Sequence, residues 1–172
     1  MQILSKTEKL ILFLLLPFYL IGIVLHSIGA TLPMMLAFTP YTIFATSVLG
    51  FFFEVKERNK GLLVWAAVTF GVTLFLEIVG VATSLVFGAY TYGPTLGLKL
   101  LGVPLLIGIN WTIIILGIVQ VARTRIANPL AAALVTASLT VLFDYVMEPV
   151  AIALDYWTWA AVDIPLQNYI AW

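Results

Sequence analysis

Apolar residues run through this chain in five long stretches, approximately Lys9–Ser27, Pro33–Phe53, Gly61–Phe87, Val103–Val121 and Asn128–Leu154, separated by short polar or turn-rich joints. Each stretch is close to the length of about 20 apolar residues that crosses a bilayer core as a helix. The pattern therefore predicts an all-α, polytopic transmembrane helical bundle with five full spans. The remainder, Asp155 to Trp172, reads as an interfacial turn followed by a short C-terminal sixth segment that stops before spanning length. No internal repeat, low-complexity tract or linker interrupts the pattern, so residues 1–172 are expected to form a single integral membrane domain. The basic start and the apolar run from Leu10 to Leu25 invite comparison with a signal peptide. That run nearly reaches spanning length and no A-x-A-like cleavage pattern follows it, which predicts a retained first helix.

The polar residues inside these stretches carry the information. Asp144 and Glu148 lie four apart in TVLFDYVMEP, a spacing that stacks both carboxylates, and Thr140 before them, on one helix face. Pro149 follows at once and removes the backbone donor that would bond the carbonyl of Tyr145. On the third stretch Thr73, Glu77, Gly80 and Ser84 recur at helical spacing as a stripe of small and polar residues. An ionisable group in hydrocarbon is costly, and by default it marks a buried site or a wet cavity.

Charge sets the orientation. Lys6 and Lys9 precede the first helix, Lys56, Arg58 and Lys60 fall between the second and third, and Arg123 and Arg125 between the fourth and fifth, leaving Lys99 alone on the other side. The positive-inside rule then predicts a cytoplasmic N-terminus in the cell (inner) membrane, with the 27–32, 89–102 and 155–164 connections outside. Glu77, near residue 16 of a helix rising about 1.5 Å per residue, falls in the outer half. Asp144 and Glu148 reach a similar depth, and so do Asn110 and Trp111 on the helix running the other way. Depth alone does not make them face one another.

Composition narrows the chemistry. Of the 172 residues 63% are hydrophobic and 9% charged, against about 25% charged in soluble domains, so no water-soluble surface can be built. A net charge of zero and the lack of a Lys/Arg-rich run speak against a nucleic-acid partner. With no cysteine, disulfides and thiolate chemistry are excluded, and a lone His26 argues against a histidine metal site. A site made of Glu77, Asp144 and Glu148 is chemically able to hold a metal, but no E-x-x-H pattern supports it, and no metal is expected. His26 reads as an interfacial polar residue, as do Tyr156, Trp157 and Trp159. The 89–102 loop, rich in Gly, Pro and Tyr, suits either a lid or a plain connection.

For Glu77 two readings stand: an acid hydrogen-bonded across a helix interface, or a carboxylic acid keeping its proton in a low-dielectric pocket. For Asp144 and Glu148 the alternatives are a structural pair satisfied by Tyr, Trp and Asn, or a pair in which one carboxyl holds a proton while the other acts as base.

Two runs are similar to a known pattern. LEIVGVATSLVFGAYTYGPTLGLKLLGVPLLIGINW resembles the E-x-x-G, FG-x-Y-x-Y, LG, GVP and W series of the membrane-integral carotenoid biosynthesis proteins, and FDYVMEPVAIALDYWTWAAVDIPLQNYIAW resembles their D-x-x-x-[DE]-P, W-x-W and P-x-x-N-x-x-[GA]-W ending. The resemblance runs from Glu77 to Trp172. Glu148 stands where many relatives have Asp, and Ala171 where they have Gly. That family includes hydratases acting on γ-carotene, lycopene and bisanhydrobacterioruberin ends. The resemblance implies a cofactor-independent carotenoid hydratase, a lyase adding water to the terminal double bond of an acyclic end group. Glu77, Asp144 and Glu148 would be its catalytic residues, and Tyr90, Tyr92, Trp111, Trp157, Trp159 and Asn168 its substrate-binding ones, to which the depth of Asn110 adds that residue. The substrate would be a carotenoid or related polyene lipid held among membrane lipids, with other carotenoid-pathway enzymes or a homo-oligomer as further partners. The alternatives are a carotenoid end-ring cyclase of the lycopene type and a non-enzymatic small transporter or lipid-binding subunit. No paired broken helices or inverted repeat support the transporter.

Overall fold

The computed structural model describes residues 6–55, 60–161 and 163–172. Residues 1–5 and the basic positions Lys56 and Arg58 lie outside the described residues. The helices are α1 (Lys6–His26), α2 (Leu32–Val55), α3 (Lys60–Thr83), α4 (Leu105–Arg125), α5 (Pro129–Ala153) and the short α6 (Leu166–Ala171). Among the described residues, α1 to α5 are long and apolar enough to cross a membrane. The chain is thus an all-α polytopic protein with five membrane-length helices and a short sixth.

The chain divides into two compact units, Met1–Thr39 and Pro40–Trp172. In the first, His26 closes α1: its Nδ1 lies 2.7 Å from the Gly22 carbonyl and its Nε2 3.4 Å from the Thr39 hydroxyl. Both ring nitrogens are therefore occupied within that unit.

In the second unit α3 packs on α4 and α4 on α5. Gly108 is where α4 comes closest to α3, since a Cβ there would stand 2.9 Å from the Phe70 ring and 3.3 Å from Leu74 Cβ. Helix α5 is turned inside out relative to a helix of a soluble bundle. On α5 the buried face is Ala132, Thr136, Thr140, Asp144, Glu148 and Ala151, while Leu134, Leu142, Tyr145 and Val146 point outward. Such a distribution suits a lipid solvent, where apolar groups lose nothing by exposure and polar groups must find partners inside. Thr136 and Thr140 donate to the carbonyls of Ala132 and Thr136 at 2.8 Å, so their hydroxyls serve their own helix.

Helix ends depart from the sequence expectation for identifiable reasons. The third helix stops at Thr83 rather than Phe87, because Ser84 takes a left-handed φ of 60°. Ser84 is therefore exposed beyond the helix and leaves the Thr73–Glu77–Gly80 stripe. The fourth helix begins at Leu105, not Val103, since Val103 and Pro104 form β3, paired antiparallel with β2 (Lys99–Leu100). Asn128 caps α5, accepting from the backbone N–H groups of Leu130 at 2.9 Å and Ala131 at 3.1 Å, with Pro129 at the first helical position.

The feature the hydrophobic pattern does not contain is a two-stranded ribbon. β1 (Tyr90–Tyr92) pairs antiparallel with β4 (Trp157–Trp159), in the register Tyr90 with Trp159 and Tyr92 with Trp157. Alternation sends all four rings to one buried face and Thr91 and Thr158 outward. Backbone bonds extend the ribbon at both ends, from Gly93 N–H to the Tyr156 carbonyl and from Ala160 N–H to that of Ala89, each 2.9 Å. α5 feeds into β4 through Asp155, whose φ of 55° is the left-handed turn that ends the helix.

Gly93 is held against that turn, for a Cβ there would overlap the Asp155 carbonyl. Gly93→Ala is accordingly expected to destabilise the protein by about 1–3 kcal/mol, the usual cost of overpacking. A thermal melt in detergent would read it, and an unchanged midpoint would mean that the ribbon end shifts freely.

Candidate active site

The ribbon lies over the polar faces of α3 and α5, and each strand supplies the hydrogen-bond donors for one carboxylate. From β1, the Tyr90 and Tyr92 hydroxyls both donate to Glu77 Oε2, Tyr92 at 2.7 Å. From β4, the Trp157 and Trp159 indole N–H groups both donate to Glu148 Oε2, at 3.0 and 2.9 Å. α6 supplies the third: Asn168 Nδ2 donates to Asp144 Oδ2 at 2.6 Å and, more weakly, to Glu148 Oε1 at 3.4 Å. Burial is nearly complete, with Glu77 4%, Asp144 2% and Glu148 1% exposed. A carboxylate taken out of water needs such donors to offset its lost hydration.

Burial, and after it the Glu77 carboxylate, push the phenols of Tyr90 and Tyr92 above their ordinary value. Both therefore keep their protons and remain donors. Their rings are fixed by contacts within the ribbon, Tyr90 against Trp159 at 5.0 Å and Tyr92 edge-on to Trp157 at 5.9 Å. The tryptophans are thus buried inside the protein. The reason is the indole N–H, which finds a buried carboxylate in place of a headgroup.

These groups surround a cavity of about 50 Å³, space for more than one water molecule. Glu77, Asp144 and Glu148 line it together with every other position expected to bind substrate: Tyr90, Tyr92, Asn110, Trp111, Trp157, Trp159 and Asn168. Helices α2 to α5, the ribbon and α6 meet there, so residues that share only a depth in the sequence share one space in the fold. Among the described residues every enclosed side-chain polar atom has a partner. Glu77 Oε1 and Asp144 Oδ1 accept no hydrogen bond from the described residues, so they are open to the cavity. Glu148 differs, because both of its oxygens are taken. No three acidic or histidine side chains among the described residues come together as a metal-binding group.

Phe87 and Trp172 are among the wall residues outside the set expected to contact substrate. Trp172 stacks between Trp111, 4.0 Å away, and Phe87, 5.1 Å away. Phe87 is turned inward by the Ser84 bend and packs on Gly80, where a Cβ would come within 2.7 Å of its ring. Gly80 is thus small so that Phe87 and the Tyr90 hydroxyl can reach the helix. Both aromatics belong to the quoted motifs, FG-x-Y-x-Y and the final W, which was the available signal.

The chain is thus a helical membrane protein whose buried face holds three carboxylates around an aromatic-walled cavity. The family model described as carotenoid biosynthesis protein matches residues 37–172, and the chain belongs to that family. Its role is therefore in carotenoid biosynthesis, as a pathway enzyme or subunit. No curated protein and no solved structure gives a significant match.

Proposed function

We propose that this protein is a carotenoid hydratase, adding water across the terminal double bond of an acyclic carotenoid end without a cofactor. The observation that carries the reading is the pairing of an aromatic wall with two open carboxyl oxygens, Glu77 Oε1 and Asp144 Oδ1, on one cavity. A protonated carboxyl gives its proton to the alkene and leaves a tertiary carbocation and a carboxylate. Water attacks the cation, its proton passes to a second carboxylate, and a tertiary alcohol remains. The sum is one water added, with the two carboxyls having exchanged roles. Glu148 suits the role of permanent anion, since two indole N–H groups, which can only donate, occupy one of its oxygens. That leaves Glu77 and Asp144 to share the roles of acid and base. The rings of Trp157, Trp159 and Tyr90 offer their faces to the cation.

The same aromatic wall favours a second reading, end-ring cyclisation, in which the cation is captured by a double bond of its own chain and then loses a proton. Mass distinguishes the two. Expressed in a lycopene-producing host, a hydratase yields pigment heavier by one or two waters, and a cyclase yields pigment of unchanged mass. Unaltered pigment would count against both.

The orientation belongs to the same proposal. A reporter fused after Lys60 is expected to read as cytoplasmic and one at Gly93 as external, following the basic residues. The opposite pattern would move the cavity to the inner half.

A further inference from the structure

The donors of this cavity divide into two sets. Tyr90, Tyr92, Trp157, Trp159 and Asn168 each give their N–H or O–H to a carboxylate. On the α4 wall the part-buried Asn110 lines the cavity, and its amide makes no hydrogen bond with the described residues. A helix facing hydrocarbon has no use for a free amide, since an unpaired polar group there is costly. The cavity that Asn110 lines can supply that partner.

We infer that Asn110 is the water-positioning residue of this site, and that it decides between a hydrated product and one of unchanged mass. The inference rests on the proposed hydratase. A water that attacks a carbocation must direct a lone pair at the cation and a proton at a base. The open carboxyl oxygens of Asp144 and Glu77 accept that proton, but an ionised carboxylate offers no donor to hold the water's oxygen. Asn110 supplies the donor, through its NH2, and its carbonyl accepts the water's other proton. With the water fixed, the cation is captured as the alcohol. Without it, the cation loses a proton back to a carboxylate or closes on its own chain, and either outcome leaves the mass unchanged. The atoms balance in each branch, and no further reactant is needed.

The test compares pigments from a lycopene-producing host carrying the parent protein, Asn110→Leu or Asn110→Ser, each normalised to folded protein. Leucine keeps the side chain's bulk and removes its hydrogen bonds, whereas serine retains a donor and an acceptor. The expected result is a fall of about a hundredfold in water adduct relative to products of unchanged mass for leucine, the scale of a lost orientation, with partial recovery for serine. A leucine variant that keeps the parent's product ratio overturns the inference. A parent that makes no adduct defeats the hydratase reading itself. An experimental map of the parent protein then decides separately: ordered water on the Asn110 amide supports the positioning role, and an amide bonded to protein instead overturns it. The same map serves if the leucine variant does not fold.

Discussion

Asp144→Asn is expected to lower product per folded molecule by about a hundredfold or more, the usual loss when a general acid or base is removed, while folded yield stays near that of the parent. The geometry makes this substitution clean. Asp144 uses one oxygen, Oδ2, to accept from Asn168 at 2.6 Å, and an asparagine amide can place its own oxygen there. Its NH2 then occupies the position of the oxygen that is open to the cavity, where water can accept from it. Nothing in the packing changes, and only the exchangeable proton of a carboxyl is lost. Product measured in membranes from carotenoid-producing cells, divided by correctly folded protein, is the deciding quantity. Normal turnover would remove Asp144 from proton transfer and leave Glu77 as the remaining carboxyl with an open oxygen.

Glu148→Gln is expected to behave differently, with a loss of folded protein as well as of activity. In the sequence the two acids are one pair of carboxylates four residues apart, with nothing to tell them apart. The hydrogen bonds separate them. Every bond to Glu148 comes from an N–H donor: Trp157 and Trp159 on Oε2, Asn168 on Oε1. A glutamine must turn its NH2 toward one of these sides, donor against donor. Facing the indoles, it leaves two buried N–H groups without an acceptor, at about 1–3 kcal/mol each. Facing Asn168, it repels the amide that also holds Asp144. The first arrangement loosens β4 from α5 and the second loosens α6 from α5, so the melting temperature in detergent should fall together with yield. A Glu148→Gln protein that melts like the parent would show that an amide is accommodated there, and that two carboxylate oxygens are not needed to hold the ribbon and α6.

The five membrane-length helices were legible because spanning hydrocarbon imposes a length and a composition that nothing else in a protein requires. The candidate carboxylates were legible for a related reason: an acid at mid-helix in so apolar a chain is expensive, and the four-residue step from Asp144 to Glu148 fixes a shared face whatever the surroundings. Motif spacing then added the aromatic and amide positions around them. What no periodicity contained was the partner of each acid. Tyr90 meets Trp159 only because residues far apart in sequence form a ribbon of three pairs, too short to leave a strand signature against a background of turns. The same ribbon gives Tyr90 and Tyr92 to Glu77 and the two tryptophans to Glu148, so side chains that look like interfacial anchors become buried donors. Hydrophobicity is a property each residue carries along the chain, and so the sequence alone determined which segments enter the membrane and which acids are costly there. Hydrogen-bond direction depends on which groups arrive at the same point in space, and so only the tertiary structure decided that both oxygens of Glu148 accept hydrogen bonds while Glu77 and Asp144 each use one.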